Sequence, residues 1–182
     1  MRLQRGEGGA VMQFAYADPP YLGSAKFHYG DPTFDSKEAH LELVSRLVRE
    51  YPDGWALSCN SKDLRWIYLA CPETARVGAW VKPFAVFKPN VNPAYAWEPV
   101  IFYGGRKRSR YEATVRDWHS ANVTLKKGLC GAKPESFCRW VLDVLGWKHG
   151  DTLDDLFPGT GAMTNASRGP VMRIGDAEKG ER

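Results

Sequence analysis

The chain has 182 residues, enough to enclose one α/β core but too few for two full domains. Hydrophobic residues make up 43% and aromatics 13%, with seven Trp, which excludes a disordered or low-complexity chain. The formal charge of +4, from 25 basic and 21 acidic residues, is too small to argue for nucleic-acid binding, so the placement of charge matters more than its sum.

Residues 1–10 are polar and Gly-rich and read as a loose tail. No charged start followed by a long apolar run marks a signal peptide, and no segment approaches the ~20 apolar residues of a membrane span. The expectation is a soluble, cytoplasmic protein with no membrane partner. Residues 11–17 (VMQFAYA) read as a buried strand that Asp18-Pro19-Pro20 stops, because prolines end strands and helices. Residues 22–34 are loop-like, punctuated by Gly23, Gly30 and Pro32. Ser36 is placed to cap a helix in which Leu41, Val44, Leu47 and Val48 fall at helical spacing, ending before Pro52.

Residues 55–59 (WALSC) read as a short buried strand and 62–69 as a second helix stopped before Pro72. A strand within 76–87, interrupted at Lys82-Pro83, pairs antiparallel with 100–103 (VIFY). Residues 104–116 are basic and polar. A helix over 134–145 carries Phe137, Trp140, Val141, Val144 and Leu145 on one face, with Gly146 at its C-terminus. Residues 152–157 (TLDDLF) form a strand, then a glycine turn, a short helix over 162–167 and a last strand at 171–174. Strands alternating with helices predict one open, mostly parallel α/β sheet with an antiparallel edge hairpin, as a single domain over 1–182. The cysteines Cys59, Cys71, Cys130 and Cys138 form no Cys-x-x-Cys pair, and the four histidines complete no zinc pattern, so free thiols and no metal are expected.

Two turns carry the chemistry. Asp18-Pro19-Pro20-Tyr21 follows a buried strand directly, at the end where open α/β sheets bind ligands. The amino group of an aromatic base is a poor nucleophile because its lone pair is delocalised into the ring. Asp18 can accept one of its N–H hydrogens and the Pro19 carbonyl the other, which frees the lone pair; Tyr21 can stack on the base, and Pro20 helps stiffen the turn. An ordinary strand-end turn would use the same residue types. The second turn, from Asp155 through Phe157 to Gly159 and Gly161, follows a strand and opens a helix. Its glycines let backbone approach a ligand closely, and the helix start offers N–H groups to a carboxylate. No third glycine follows at the spacing of a dinucleotide site.

Together these turns resemble the amino-methyltransferase family that modifies adenine or cytosine in DNA, whose catalytic motif is Asp-Pro-Pro-Tyr and whose cofactor motif is Asp-x-Phe-x-Gly-x-Gly. Catalytic motif first and cofactor motif last resembles the family's permuted beta class. Lys133-Pro134 before an apolar helix is also similar, and in that class this helix walls the cofactor pocket. Residues 97–103, beginning Trp97-Glu98, resemble the family's later strands. The resemblance covers about 14–176. It implies a Rossmann-like class I fold, S-adenosylmethionine as cofactor, and transfer of a methyl group to the 6-amino group of adenine. The adenine would be flipped from double-stranded DNA or lie in a single strand. It implies catalytic roles for Asp18, Pro19, Pro20 and Tyr21, and cofactor binding by Lys133, Pro134, Asp155, Phe157, Gly159 and Gly161. Asp176, with Glu178 as the alternative, is the acid for the ribose hydroxyls.

The chain departs from the family in the short, polar segment after Gly161 and in a small target-recognition region over 89–127. Arg106, Lys107, Arg108 and Arg110, interleaved with Tyr103, Tyr111 and Trp118, are expected to contact nucleic-acid phosphates. Tyr29, Asp31, Asp35 and His40 follow the catalytic turn and are placed to form a flap over the target base, with no catalytic role for His40. Alternatives are an RNA adenosine methyltransferase, whose motif usually ends in Trp rather than Tyr, and a non-catalytic nucleic-acid binding module of the same fold. Small size without a restriction domain points to a solitary enzyme of phage or prophage origin.

Overall fold

A computed structural model describes residues 10–26, 30–84, 91–126 and 129–169. Its main sheet contains β1 (Gln13–Ala17), β2 (Gly54–Ser58), β3 (Arg76–Val81), β4 (Trp97–Gly104), β5 (Trp118–Ser120) and β8 (Thr152–Asp155), in the order β5-β3-β4-β2-β1-β8. β8, β1 and β2 are parallel neighbours, and β5 is parallel to β3. β4 runs antiparallel to both β2 and β3. The antiparallel pair thus stands one strand in from the edge, because the three-residue β5 adds outside β3. A separate antiparallel ribbon joins β6 (Thr124–Lys126) to β7 (Leu129–Ala132). The short, polar β5 and the ribbon carry too little apolar periodicity to be read from sequence. The strand expected at 171–174 lies outside the described residues, as do Tyr29, Asp176 and Glu178.

Alternation along the strands builds two cores, one on each face of the sheet. Ala15, Ala17, Trp55, Leu57 and Ile101 pack with α1 (Lys37–Glu50) and α2 (Leu64–Leu69) through Leu43, Val44, Leu47 and Ile67. Phe14, Tyr16, Ala56, Trp80, Val100 and Phe102 face the other way, onto α3 (Glu135–Leu145) and α4 (Ala162–Arg168). The Ser36 hydroxyl accepts from the Ala39 N–H at 3.2 Å, a cap contributing about 1 kcal/mol. The face α1 buries is His40, Leu43, Val44 and Leu47, whereas Leu41 and Val48 are exposed. The helix is therefore turned from the stripe that the apolar residues alone suggest, because His40 is taken into the core. Its ring lies edge-on to Phe34 and Trp66, and its Nε2 bonds to the Phe34 carbonyl oxygen at 3.1 Å. α3 ends at Gly146 in the left-handed region (φ 69°), where the Trp147 N–H returns to the Leu142 carbonyl at 2.9 Å. Among the described residues no helix is long and apolar enough to cross a membrane, and no cluster of His, Cys, Asp and Glu is able to hold a metal ion.

Candidate active site

The side chains of the site continue the rows that face α3. Phe14 and Tyr16 lead to Asp18, just past the end of β1; Trp80 leads to Lys82, just past β3. In β4 the same row runs Phe102, Val100, Glu98, and because β4 is antiparallel its beginning reaches the carboxyl ends of β1, β2 and β3. Lys133, between β7 and α3, closes the group from above the sheet. Its Nζ lies 3.1 Å from Asp18 Oδ1 and 2.6 Å from Glu98 Oε1. Lys82 Nζ lies 3.1 Å from Glu98 Oε2. Four charges of alternating sign, Asp18, Lys133, Glu98 and Lys82, are thereby linked in a row, packed beside Trp80, Phe137 and Tyr21.

Electrostatics here are a balance of burial against pairing. Burial pushes the Asp18 carboxyl up, and Lys133 opposes that shift without cancelling it. Burial acts in the same direction on Glu98, but Lys133 and Lys82 reverse it and hold Glu98 below its ordinary value. For Lys133 burial works against the cation, and Asp18 and Glu98 more than restore it, so the ammonium is held above its ordinary range. The Tyr16 hydroxyl shares a 2.9 Å hydrogen bond with Ser58 Oγ, and burial keeps that phenol protonated. The Tyr21 hydroxyl is buried beside Glu98 with no well-formed hydrogen bond; burial first, and then Glu98, pushes it up.

A cavity of about 390 Å³ opens beside this row, lined by Tyr16, Asp18 and Pro20 from one side and by Asp155, Phe157 and Gly159 from the other. The structure therefore brings the two sequence turns to one space. Asp155 faces the cavity because it shares a strand face with Leu153, which packs on the α3 side. Its neighbour Asp154 turns away and accepts from the Tyr51 hydroxyl at 2.8 Å. Asp155 Oδ2 accepts from Thr164 Oγ1 at 3.0 Å, while Oδ1 is buried with no hydrogen-bond partner, and burial pushes this carboxyl up. Gly159 (φ 47°) and Gly161 (φ 73°) occupy the left-handed region that favours glycine. A Cβ on either would meet no atom closer than 3.8 Å, so backbone conformation rather than protein crowding requires these glycines.

The other expected residues separate. Pro134 stands at the start of α3, with Lys133 lining the cavity just before it. Asp31 lines the cavity, whereas Asp35 braces the loop by accepting from the N–H groups of Ala25 and Lys26, both at 2.9 Å. Phe34 packs edge-on to Phe157 at 5.0 Å, which ties this loop to the glycine turn. The basic cluster follows Gly104, which pairs with Gly54 at the opposite edge of the sheet from Asp18. Arg106 is bound there: its Nη2 contacts Asp151 at 2.6 and 2.8 Å, and its Nε donates to the Gly146 carbonyl at 3.2 Å. Arg108 donates to the Asp143 carbonyl and Arg110 covers the Tyr111 ring, while Lys107 is exposed. The structure does not bring these four to the Asp18 edge. Glu98 and Lys82 were missed as site residues, although a carboxylate adjoining an apolar strand (EPVIFY) and a lysine closing another are signals in the sequence.

This mixed α/β sheet, with an antiparallel strand next to the parallel set and a glycine turn after the edge strand, matches the fold of solved M1.HpyAVI structures. The solved M1.HpyAVI–SAM complex has a TM-score of 0.58 to this chain, covering 87% of it and 77% of that chain at 15% identity. A second M1.HpyAVI structure gives 0.56, covering 87% and 75% at 13% identity. At such identities the likeness is one of fold. No protein-family model matches the sequence, and no curated protein matches it.

Proposed function

We propose that the chain transfers a methyl group from S-adenosylmethionine to the 6-amino group of adenine in DNA. One observation carries this: Asp18 and Asp155, from the two sequence turns, line one cavity at the carboxyl edge of the sheet. The fold similarity to M1.HpyAVI, solved with SAM, supports the choice of cofactor. The cavity suits it in chemistry, with the unpartnered Asp155 Oδ1 as an acceptor, apolar walls from Phe34, Leu156, Phe157 and Met163, and open space over Gly159 and Gly161. Bound S-adenosylmethionine supplies the activated methyl group. Phe157, Gly159, Gly161 and Asp155 would hold it, and Asp176 remains the proposed ribose ligand. The permuted order of the motifs places this chain with the beta class in our reading.

Asp18 accepts a hydrogen of the target amine and stabilises the positive charge that develops on nitrogen. The Pro19 carbonyl is the proposed second acceptor, and Pro20 walls the cavity. The base must leave a duplex, or come from a single strand, to reach this edge. Phe84, Tyr95 and Trp97 are exposed near Lys82 and Glu98 in sequence, and Lys62 Nζ lies 5.5 Å over the Tyr95 ring. These exposed aromatics and the lysine are the proposed surface for unstacked nucleic acid, in place of the cluster around Arg106. The test is transfer of labelled methyl groups from S-adenosylmethionine to DNA and RNA oligonucleotides with and without adenine. Label in adenine-containing DNA is the expected result. Label only in RNA would replace the substrate, and cofactor binding with no transfer to either would leave a binding module.

A further inference from the structure

Glu98 is only 7% exposed, and both of its oxygens are taken by ammonium groups, Oε1 by Lys133 at 2.6 Å and Oε2 by Lys82 at 3.1 Å. The strand it belongs to is otherwise apolar, with Pro99, Val100, Ile101 and Phe102 buried. Burying a carboxylate on such a strand is unfavourable by itself, and a buried ion pair is weak evidence for stability. Packing does not account for Glu98; its link to Asp18 through one lysine does. We propose that Glu98 tunes the carboxylate that receives the target amine, sharing the Lys133 ammonium with Asp18 and balancing the charge of the site. This rests on the methyl-transfer reading.

The charge count gives the reason. Lys82 and Lys133 carry two positive charges, and Glu98 and Asp18 two negative ones, so the row is neutral. Without Glu98 it would hold one net positive charge, next to the place where a cationic donor and a nitrogen gaining positive charge must meet. With Glu98, the Lys133 ammonium is shared between two carboxylates, so it neutralises Asp18 less fully and leaves that carboxylate a more basic acceptor for the amine. The groups that act on Asp18 are Lys133, Glu98, Asp155 from β8, Tyr16 from β1, Tyr21 in its own turn and Cys138 on α3, with Lys82 one step removed. Burial holds both phenols protonated and pushes the Cys138 thiol up to about 12, so the carboxylates and lysines set the balance at neutral pH.

Lys133 and Glu98 therefore pull the ionisation of Asp18 in opposite directions, whereas a Glu98 that only filled space would leave it unmoved. The experiment is a carboxyl-¹³C titration of the full chain labelled at aspartate, with the Asp18 signal assigned by its loss in Asp18→Asn. Lys133→Met is expected to raise the Asp18 midpoint and Glu98→Gln to lower it, each by roughly one pH unit or more. Lys82→Met, farther out, should raise it by less than Lys133→Met. The depressed titration of Asp151, at the other edge of the sheet, reports that each variant is folded. An unmoved Asp18 midpoint in folded Glu98→Gln, or shifts of the same sign in Glu98→Gln and Lys133→Met, would overturn the proposal. If Glu98→Gln does not fold, an unmoved midpoint in folded Lys82→Met overturns it instead. The titration needs no turnover, so a parent chain that transfers no methyl group would remove the proposed reaction without changing this result.

Discussion

Lys133 Nζ lies 3.1 Å from Asp18 Oδ1, so the lysine in front of α3 is bonded to the carboxylate behind β1. The lysine therefore serves the Asp18 end of the cavity as well as its wall. One Asp18 oxygen is fixed by that contact, in a cavity that Asp18 itself helps to line.

Replacing Asp18 by Asn keeps the shape and removes the charge. Turnover is expected to fall by roughly 10²–10³-fold, the scale of losing one preorganised contact to the transition state. Affinity for S-adenosylmethionine, measured by calorimetry, should be unchanged. Near-parental methyl transfer in this variant would refute the role assigned to Asp18.

The same carboxylate is expected to set the acid limb of the pH profile. Burial raises the Asp18 value and Lys133 only partly opposes it; in the proposed reaction the ionised form is the one that accepts the amine hydrogen. Turnover should then be lost as pH falls through a value above the ordinary aspartate range near ~3.9. A profile of kcat against pH whose acid limb lies at or below that range would contradict this.

Arg106 and Asp151 are expected to matter for stability rather than for nucleic acid. Removing either partner, as in Arg106→Met or Asp151→Asn, should destabilise the fold by about 3 kcal/mol in urea unfolding. Burial alone would raise the Asp151 carboxyl, but Arg106 and the N–H groups of Met12 and Lys148 hold it below its ordinary value. A depressed carboxylate contributes stability that is complete above its unfolded value and is lost as pH falls through the folded one. Asp151→Asn should remove that part of the acid destabilisation.

Phe84→Ser and Trp97→Ser should each weaken binding of single-stranded DNA by about 1–3 kcal/mol if these exposed rings stack on bases. Joint replacement of Lys107 and Arg110 by Ser should leave the salt dependence of binding nearly unchanged, because both follow the far end of β4. Fluorescence anisotropy over a range of salt distinguishes the two surfaces; a salt slope that flattens by about two charges would return the interface to the basic cluster.

Gly161→Ala places a side chain in the left-handed region, at a cost of about 1–2 kcal/mol, without a close protein contact. Its cofactor affinity should fall by more than this strain explains in a folded protein. Unaltered binding in the calorimeter would remove the glycine turn from the pocket.

Much of this was legible in the chain because it is local. The strand stopped by Asp18-Pro19-Pro20, the Ser36 cap, the end of α3 at Gly146 and the turn from Asp155 to Gly161 each follow from a few neighbouring residues. Alternation within a strand is local too, and it already puts Glu98 on the same strand face as Val100 and Phe102. What local pattern does not contain is which strands become neighbours and which way each one runs. β4 settles both questions at once. It is an eight-residue strand, about 26 Å long, inserted antiparallel between β2 and β3. Its first residues bring Glu98 to the edge that holds Asp18, and its last carry Arg106 to the opposite edge, where Asp151 receives it. The sequence by itself determined the two chemical turns and the strands that end in them. Only the tertiary structure decided that Glu98 belongs with Asp18 and Arg106 does not, because strand direction is set by pairing between segments far apart in the chain.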